Sequence, residues 1–373
     1  MKRRDVGLDI TRIVAFLFVV NVHAFLYNGF LETTVGEPYT FVLCFFRILF
    51  SGCVPMFLLL SGYLLCGRSV ALEKKGELCR HLYKASDILL TYLLCALTVS
   101  LVRCFYLGQT MSWREIFFSL FAFGQYSWYA NMYLGLYLLI PMLNLVWAHA
   151  GGKRAHGTVV GCLLVLTALP GLLNVYDLTT PGVLLRPASY EVRTRIAPDW
   201  WAAIYPITYY FLGAYLRTHV QVKKLHTGKL LALLVLALGC FTGYNLWQSW
   251  GRSFYIGAWL LESGWQAGVI AVLVFLTINS IDFPQPGAAA GKLLAHISEL
   301  TFGAYLLSWV PDQLIYPMLL ARIADSRTRM LCFPITAAVS AVISLGGAFF
   351  VRCAVKLLRA GASKCRRKME EFT

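Results

Sequence analysis

Charge is scarce in this chain. Only 14% of its 373 residues are charged, and 18 Asp and Glu stand against 33 Lys and Arg. A water-soluble domain normally carries about a quarter charged residues, so too little polar surface exists here to cover a globule in water. None of the 11 Cys stands in a C-x-x-C pair or a zinc pattern. Cys44, Cys53, Cys95, Cys162 and Cys240 fall inside apolar runs, as small buried hydrophobes do. Neither a metal site nor a disulfide framework is expected. Internal repeats, low-complexity tracts and loops long enough to hold a soluble domain are also missing.

Apolar residues fill that space. They make up 58% of the chain at a mean hydropathy of +0.65, with 24 Phe, 20 Tyr and 10 Trp. Rings in such number suit positions at lipid headgroup level. Crossing the hydrocarbon core takes about 20 apolar residues. Such runs occur at 8–30, 41–65, 85–107, 126–147, 157–176, 200–217, 229–250, 255–278, 293–320 and 331–356, with 115–125 apolar but short. The expectation is an all-α, polytopic transmembrane bundle of about ten helices, one domain over 1–360 with a basic tail at 361–373. Lys2, Arg3 and Arg4 resemble a signal-peptide start, but the run behind them is of spanning length and lacks an A-x-A-like cleavage site. It reads as a retained first helix. The connection 177–199, with Pro181, Pro187 and Pro198, should be irregular.

The formal charge of +15 does not point to nucleic acid, whose binders gather Lys and Arg on one soluble face. Here the basic residues sit in short loops. Alternate loops hold most of them, which places both termini in the cytoplasm by the positive-inside rule. The segment 321–330, with Arg322, Arg327 and Arg329, runs against that pattern. The tail Lys364-Cys365-Arg366-Arg367-Lys368 should lie on anionic membrane lipid.

The first span carries Asp9, Arg12 and His23. Ionisable groups at membrane depth are costly and demand a partner or a function. Eleven residues separate Arg12 from His23, a rotation of about 1100° that returns to one face about 16 Å along the axis. Asp9, three residues before Arg12, can pair with it. A lone His at depth is ordinarily a donor to a neighbouring carbonyl. Arg12 on the same stripe favours chemistry, because a neutral imidazole in a low-dielectric site can accept a proton. Both side chains are expected to look into one shared cavity.

Arg12-x10-His23 after Gly7-Leu8-Asp9 resembles the opening helix of the membrane acyltransferase-3 family. Arg47 with Val54-Pro55-Met56-Phe57-Leu58-Leu59-Leu60-Ser61-Gly62-Tyr63-Leu64 is similar to that family's R…VPxFFxxSGF segment. Ser127-Trp128-Tyr129 with Gly135-Leu136-Tyr137-Leu138-Leu139-Ile140-Pro141 resembles its WY…GLYLLxP helix, and Tyr209-Tyr210-Phe211-Leu212-Gly213 its YFxLG segment. Thr301-Phe302-Gly303-Ala304-Tyr305-Leu306-Leu307 resembles its late TFGxYLxH helix, except that Ser308 stands where many members carry His. Any role of that late His cannot be carried over.

The resemblance implies a multi-pass enzyme of the bacterial cytoplasmic membrane. It would move an acyl group, commonly acetyl, from acyl-CoA to a hydroxyl of a glycan or lipid-linked sugar, with no permanently bound cofactor. Arg12 would bind the acyl-CoA, since guanidinium suits phosphate, with Arg80 and Lys84 as further cations. His23 would be the general base, or would carry the acyl group transiently. Arg47 would orient the acceptor, pair with Glu32 or Glu37, or reach water at the interface. Ser61-Gly62 allows close helix approach or lines the pocket. Trp128 and Tyr129 form either an aromatic belt or a platform for a sugar, and Tyr305 or Ser308 could donate to an oxyanion. Glu262, Gln266 and Glu299 are further polar groups in late spans, and Asp312 after Pro311 marks either a site at a broken helix or a helix-end cap. A transporter or flippase using Arg12 and His23 as a substrate or proton path is the competing reading. It would favour duplicated halves, and none is evident.

Overall fold

The computed structural model describes residues 5–67, 75–121, 127–176 and 194–371, with side chains to residue 361. Lys2, Arg3, Arg4, Pro181 and Pro187, and the side chains of the basic tail, lie outside the described residues. Among the described residues no strand forms. Only helices satisfy every backbone group within one segment in lipid.

Seven stretches are long and apolar enough to cross a membrane: α1 (Val6–Tyr27), the pair α2 (Pro38–Ser51) and α3 (Cys53–Leu65), α4 (Lys75–Phe105), α6 (Trp128–His149), α7 (Lys153–Leu173), α9 (Thr227–Ser249) and α14 (Phe333–Glu371). An eighth is α11 (Ala288–Leu307) joined to α12 (Trp309–Arg322) through a 61° bend. Two further expected spans are shorter than sequence suggested. The 200–217 run yields α8 (Tyr205–His219), 15 residues entered through a 3₁₀ turn at Asp199–Ile204, with Pro206 in its first turn. The 255–278 run yields α10 (Trp265–Ser280), of 16 residues. The apolar run 115–125 gives α5 (Trp113–Phe121) beside α4, and α13 (Ser326–Leu331) is one short turn before α14.

The stretch ahead of α10 is apolar, which made it read as helix, yet it folds inward as irregular chain. Phe254, Trp259 and Leu260 are buried in it, and Trp259 Nε1 donates to Asn245 Oδ1 at 2.9 Å. Non-helical backbone at membrane depth is tolerated where it lines a cavity, and this segment does so.

Both helix breaks have one cause. Proline has no N–H to give the carbonyl four residues back. Pro55 leaves the Ser51 carbonyl, and α2 stops at Ser51; Pro311 leaves the Leu307 carbonyl, and α11 stops at Leu307. Gly52 and Ser308 are the hinge residues.

α1 occupies the centre, packed against α2, α3, α10, α11, α12 and α14. The closest helix approach is α3 on α8. A Cβ on Gly62 would lie 1.9 Å from the Tyr210 carbonyl oxygen, and one on Gly213 2.0 Å from that of Leu59. Two of the sequence segments noted above are thus one reciprocal contact. The loop after α1 is clasped to that after α9 by Val35 N donating to Arg252 O at 2.7 Å and Gly251 N to Val35 O at 2.9 Å. The discordant basic segment is used structurally: Arg327 lies over the Tyr39 ring at 4.8 Å, and Arg329 donates to the carbonyls of Ile323 and Ala324 at the end of α12.

Candidate active site

α1 presents Arg12 and His23 to two cavities, where sequence suggested a single shared one. The Arg12 cavity measures about 390 Å³ and the His23 cavity about 430 Å³. Tyr305 of α11 lines both, and its ring stands edge-on to Tyr129 with centroids 5.2 Å apart. An aromatic partition therefore separates the guanidinium from the imidazole. A helical stripe fixes direction, and the bulk of side chains entering from other helices decides whether the space along it is continuous.

In the first cavity Arg12 Nη1 donates to Ser298 Oγ at 2.9 Å and lies 3.9 Å from Asp9 Oδ1, the pairing that their spacing suggested. Its side chain keeps 28% exposure. Ser61, Tyr129, Tyr133 and Glu299 share the walls. Ser61 Oγ is turned back onto the Phe57 carbonyl at 2.8 Å, so it lines the space while Gly62 provides the helix contact.

The second cavity grows out of the two helix breaks. Ser51, Cys53 and Val54 at the first, Ser308 and Trp309 at the second, and Glu262 from the irregular segment all contribute to its wall. Here His23 Nδ1 meets Asp312 Oδ2 at 2.7 Å, and Asp312, buried at 1% exposure, also accepts from Ser340 Oγ at 3.4 Å. With Asp312 ionised its oxygens can only accept, which places the proton on Nδ1 and leaves the Nε2 lone pair free. Asp312 lies in the first turn after the break at Ser308, buried against His23 and away from any wet helix end.

Arg47 also lines the His23 cavity. It sits within α2 at 6% exposure rather than at a wet boundary, and its Nε and Nη1 have no hydrogen-bond partner. The acidic charge that reaches it is Glu262, in place of Glu32 or Glu37. Such orphaned donors on a buried cation are costly. Trp128, 37% exposed, lines this cavity, and Ser308 Oγ is spent on the Tyr305 carbonyl at 2.8 Å. Arg80 and Lys84 are exposed on α4 and line neither cavity.

Three roles escaped sequence reasoning: Asp312 as partner of His23, Glu262 as the charge near Arg47, and Tyr305 as the partition. Pro55 and Pro311 were the available signal, since each announces a helix break and hence an opening. Among the described residues no group of three or more His, Cys, Asp and Glu could hold a metal ion.

The chain is a polytopic helical bundle in which His23 lines a cavity and is paired with Asp312, and comparison with known proteins gives the family. The acyltransferase domain of the acyltransferase-3 family matches residues 5–353, and the chain belongs to that family. It is a multi-pass membrane acyltransferase, which sets the transporter reading aside. Neither curated proteins nor solved structures gave a match.

Proposed function

We propose that this acyltransferase moves an acyl group, acetyl in the simplest case, from acyl-CoA to a hydroxyl of a cell-envelope glycan or lipid-linked sugar. It would do so in a bacterial cytoplasmic membrane, with both termini cytoplasmic and acyl-CoA as a co-substrate rather than a resident cofactor. The observation that carries the reading is the 2.7 Å His23–Asp312 contact beside a cavity that Arg47 also lines, two of its guanidinium nitrogens having no hydrogen-bond partner.

Acyl-CoA enters the Arg12 cavity, where the exposed part of the Arg12 guanidinium takes an anionic oxygen. The acceptor occupies the His23 cavity, and the thioester reaches it past Tyr305. His23 Nε2 removes the hydroxyl proton while the acceptor oxygen bonds to the thioester carbonyl carbon. Asp312 holds the ring in that tautomer and stabilises the imidazolium. Arg47, on the wall of the same cavity, supplies a guanidinium N–H to the oxyanion. Collapse breaks the C–S bond, and the imidazolium returns its proton to the departing sulfur.

Membranes containing the protein, incubated with labelled acetyl-CoA, should place label on envelope glycan or lipid-linked sugar. His23→Ala should abolish the label, and Arg12→Lys should raise the KM for acetyl-CoA. Full transfer by His23→Ala would remove the reading.

A further inference from the structure

The His23 cavity does not stand alone. Leu261 lines it and also lines a polar cavity of about 630 Å³, whose walls include Asn174, Arg195, Asp199 and Ser263. Ser263 and Thr167 of that polar cavity in turn line a groove of about 370 Å³ between α7, α8 and α10.

The groove is apolar in effect. Apart from Ser263 at the polar-cavity end, its hydroxyls are consumed internally: Thr167 and Thr208 bond each other at 2.7 Å, and Tyr209 donates to the Gly264 carbonyl at 3.4 Å. What remains is Leu164, Leu212, Trp265, Val269, Val272 and Leu273. Leu164 and Val269 are 38% and 39% exposed on the lipid-facing side, so the groove opens laterally into the bilayer. Its α10 wall runs from Trp265 to Leu273, a descent of about 12 Å at helical rise. The polar cavity lies at its Ser263 end, and beyond that lies the imidazole. A hydrocarbon slot, a polar chamber and a reaction cavity joined in series match a molecule with an apolar chain at one end and hydroxyls at the other.

We propose that the acceptor is an amphiphile whose hydrocarbon chain lies in the α7–α8–α10 groove. Its polar head occupies the Arg195–Asp199 cavity and offers a hydroxyl past Leu261 to His23. This rests on the acyl-transfer reading and, of the two acceptors named there, selects the lipid-linked sugar and gives its hydrocarbon chain a place in the fold. The chain in the groove is then part of the substrate rather than bulk lipid. A phospholipid could offer Arg195 only its phosphate, whereas a glycolipid gains burial of its chain and hydrogen bonds from its hydroxyls to Arg195 and Asp199 together.

Photolabelling of the full-length protein in nanodiscs tests this without relying on turnover. Two probes carry a diazirine at mid-chain, one a dodecyl glucoside and the other a phosphatidylcholine. The glucoside should label α7 and α10 peptides several-fold more strongly than the phospholipid at equal mole fraction. Val269→Trp, which fills the groove from the lipid side, should suppress that excess, with Leu164→Phe as the milder second variant. His23→Ala should label like the unaltered protein, so a failed acyl-transfer reading and a failed groove give different results. Equal labelling by both probes would identify an ordinary lipid crevice, and either that outcome or indifference to both groove variants would overturn the proposal.

Discussion

Replacing Arg47 by Met separates a catalytic guanidinium from a structural one, because the two predict stability changes of opposite sign. Arg47 is 6% exposed with two nitrogens lacking partners. Each buried, unsatisfied donor costs about 1–3 kcal/mol. Methionine fills much of the same volume without any donor. It forgoes attraction to Glu262, but Glu262 is only partly buried and can be solvated from the cavity. The expected net effect is unchanged or higher stability, by up to about 2 kcal/mol. Loss of an oxyanion donor should meanwhile lower turnover by about 10²–10³-fold. Thermal unfolding followed by Trp fluorescence in nanodiscs reads the first quantity, and transfer from labelled acetyl-CoA reads the second. Were Arg47 half of a structural ion pair, its removal would destabilise by about 3–5 kcal/mol. A loss of that size, or turnover equal to the parent's, would refute the argument.

Asp312→Asn should keep the packing but favour the wrong imidazole tautomer, lowering kcat by about 10²–10⁴-fold with little change in acetyl-CoA KM; a change confined to KM would contradict it. Gly62→Ala would drive a methyl to 1.9 Å from a backbone oxygen, so α3 and α8 must part, at about 1–3 kcal/mol, seen as lower thermal stability and yield in detergent. In the loop before α13, hydrogen bonds from Thr328 hold the Asp325 carboxyl below its usual range. Its folded value being depressed, the cap contributes fully above the ordinary carboxylate range and fades as pH falls through the lowered value. The protection factor of the Thr328 amide, its exchange rate taken relative to the intrinsic rate at each pH, should therefore fall selectively on acidification, and uniform protection down to the lowest pH would count against the cap.

Much of α1 was legible in the sequence, since helical period alone places Arg12 and His23 on one stripe and Asp9 beside Arg12. Continuity between the two was not, because it depends on Tyr305, a ring arriving from a helix nearly 300 residues along the chain. Asp312 was visible as an ionisable group near a proline, yet the His23 contact spans 289 positions, and no local pattern reports such a distance. Hydropathy drew both short spans too long: at 255–278 it cannot tell a lipid-facing helix from an apolar segment folded inward around Trp259, and at 200–217 it does not see the 3₁₀ turn Asp199–Ile204 ahead of Pro206. Arg47 misled for a related reason: its position near an expected span end suggested water, whereas the helix carrying it is itself buried.

The ring of Tyr305 also bears on the membrane's insulation. Any passage wide enough for the proposed thioester to slide from the Arg12 side to the His23 side would admit hydronium, and a membrane that holds a proton gradient cannot keep such a path open. One phenol, edge-on to Tyr129, stands between the two cavities, so on the proposed route the ring that the acyl group must pass is also the ring that would keep the bilayer tight between turnovers.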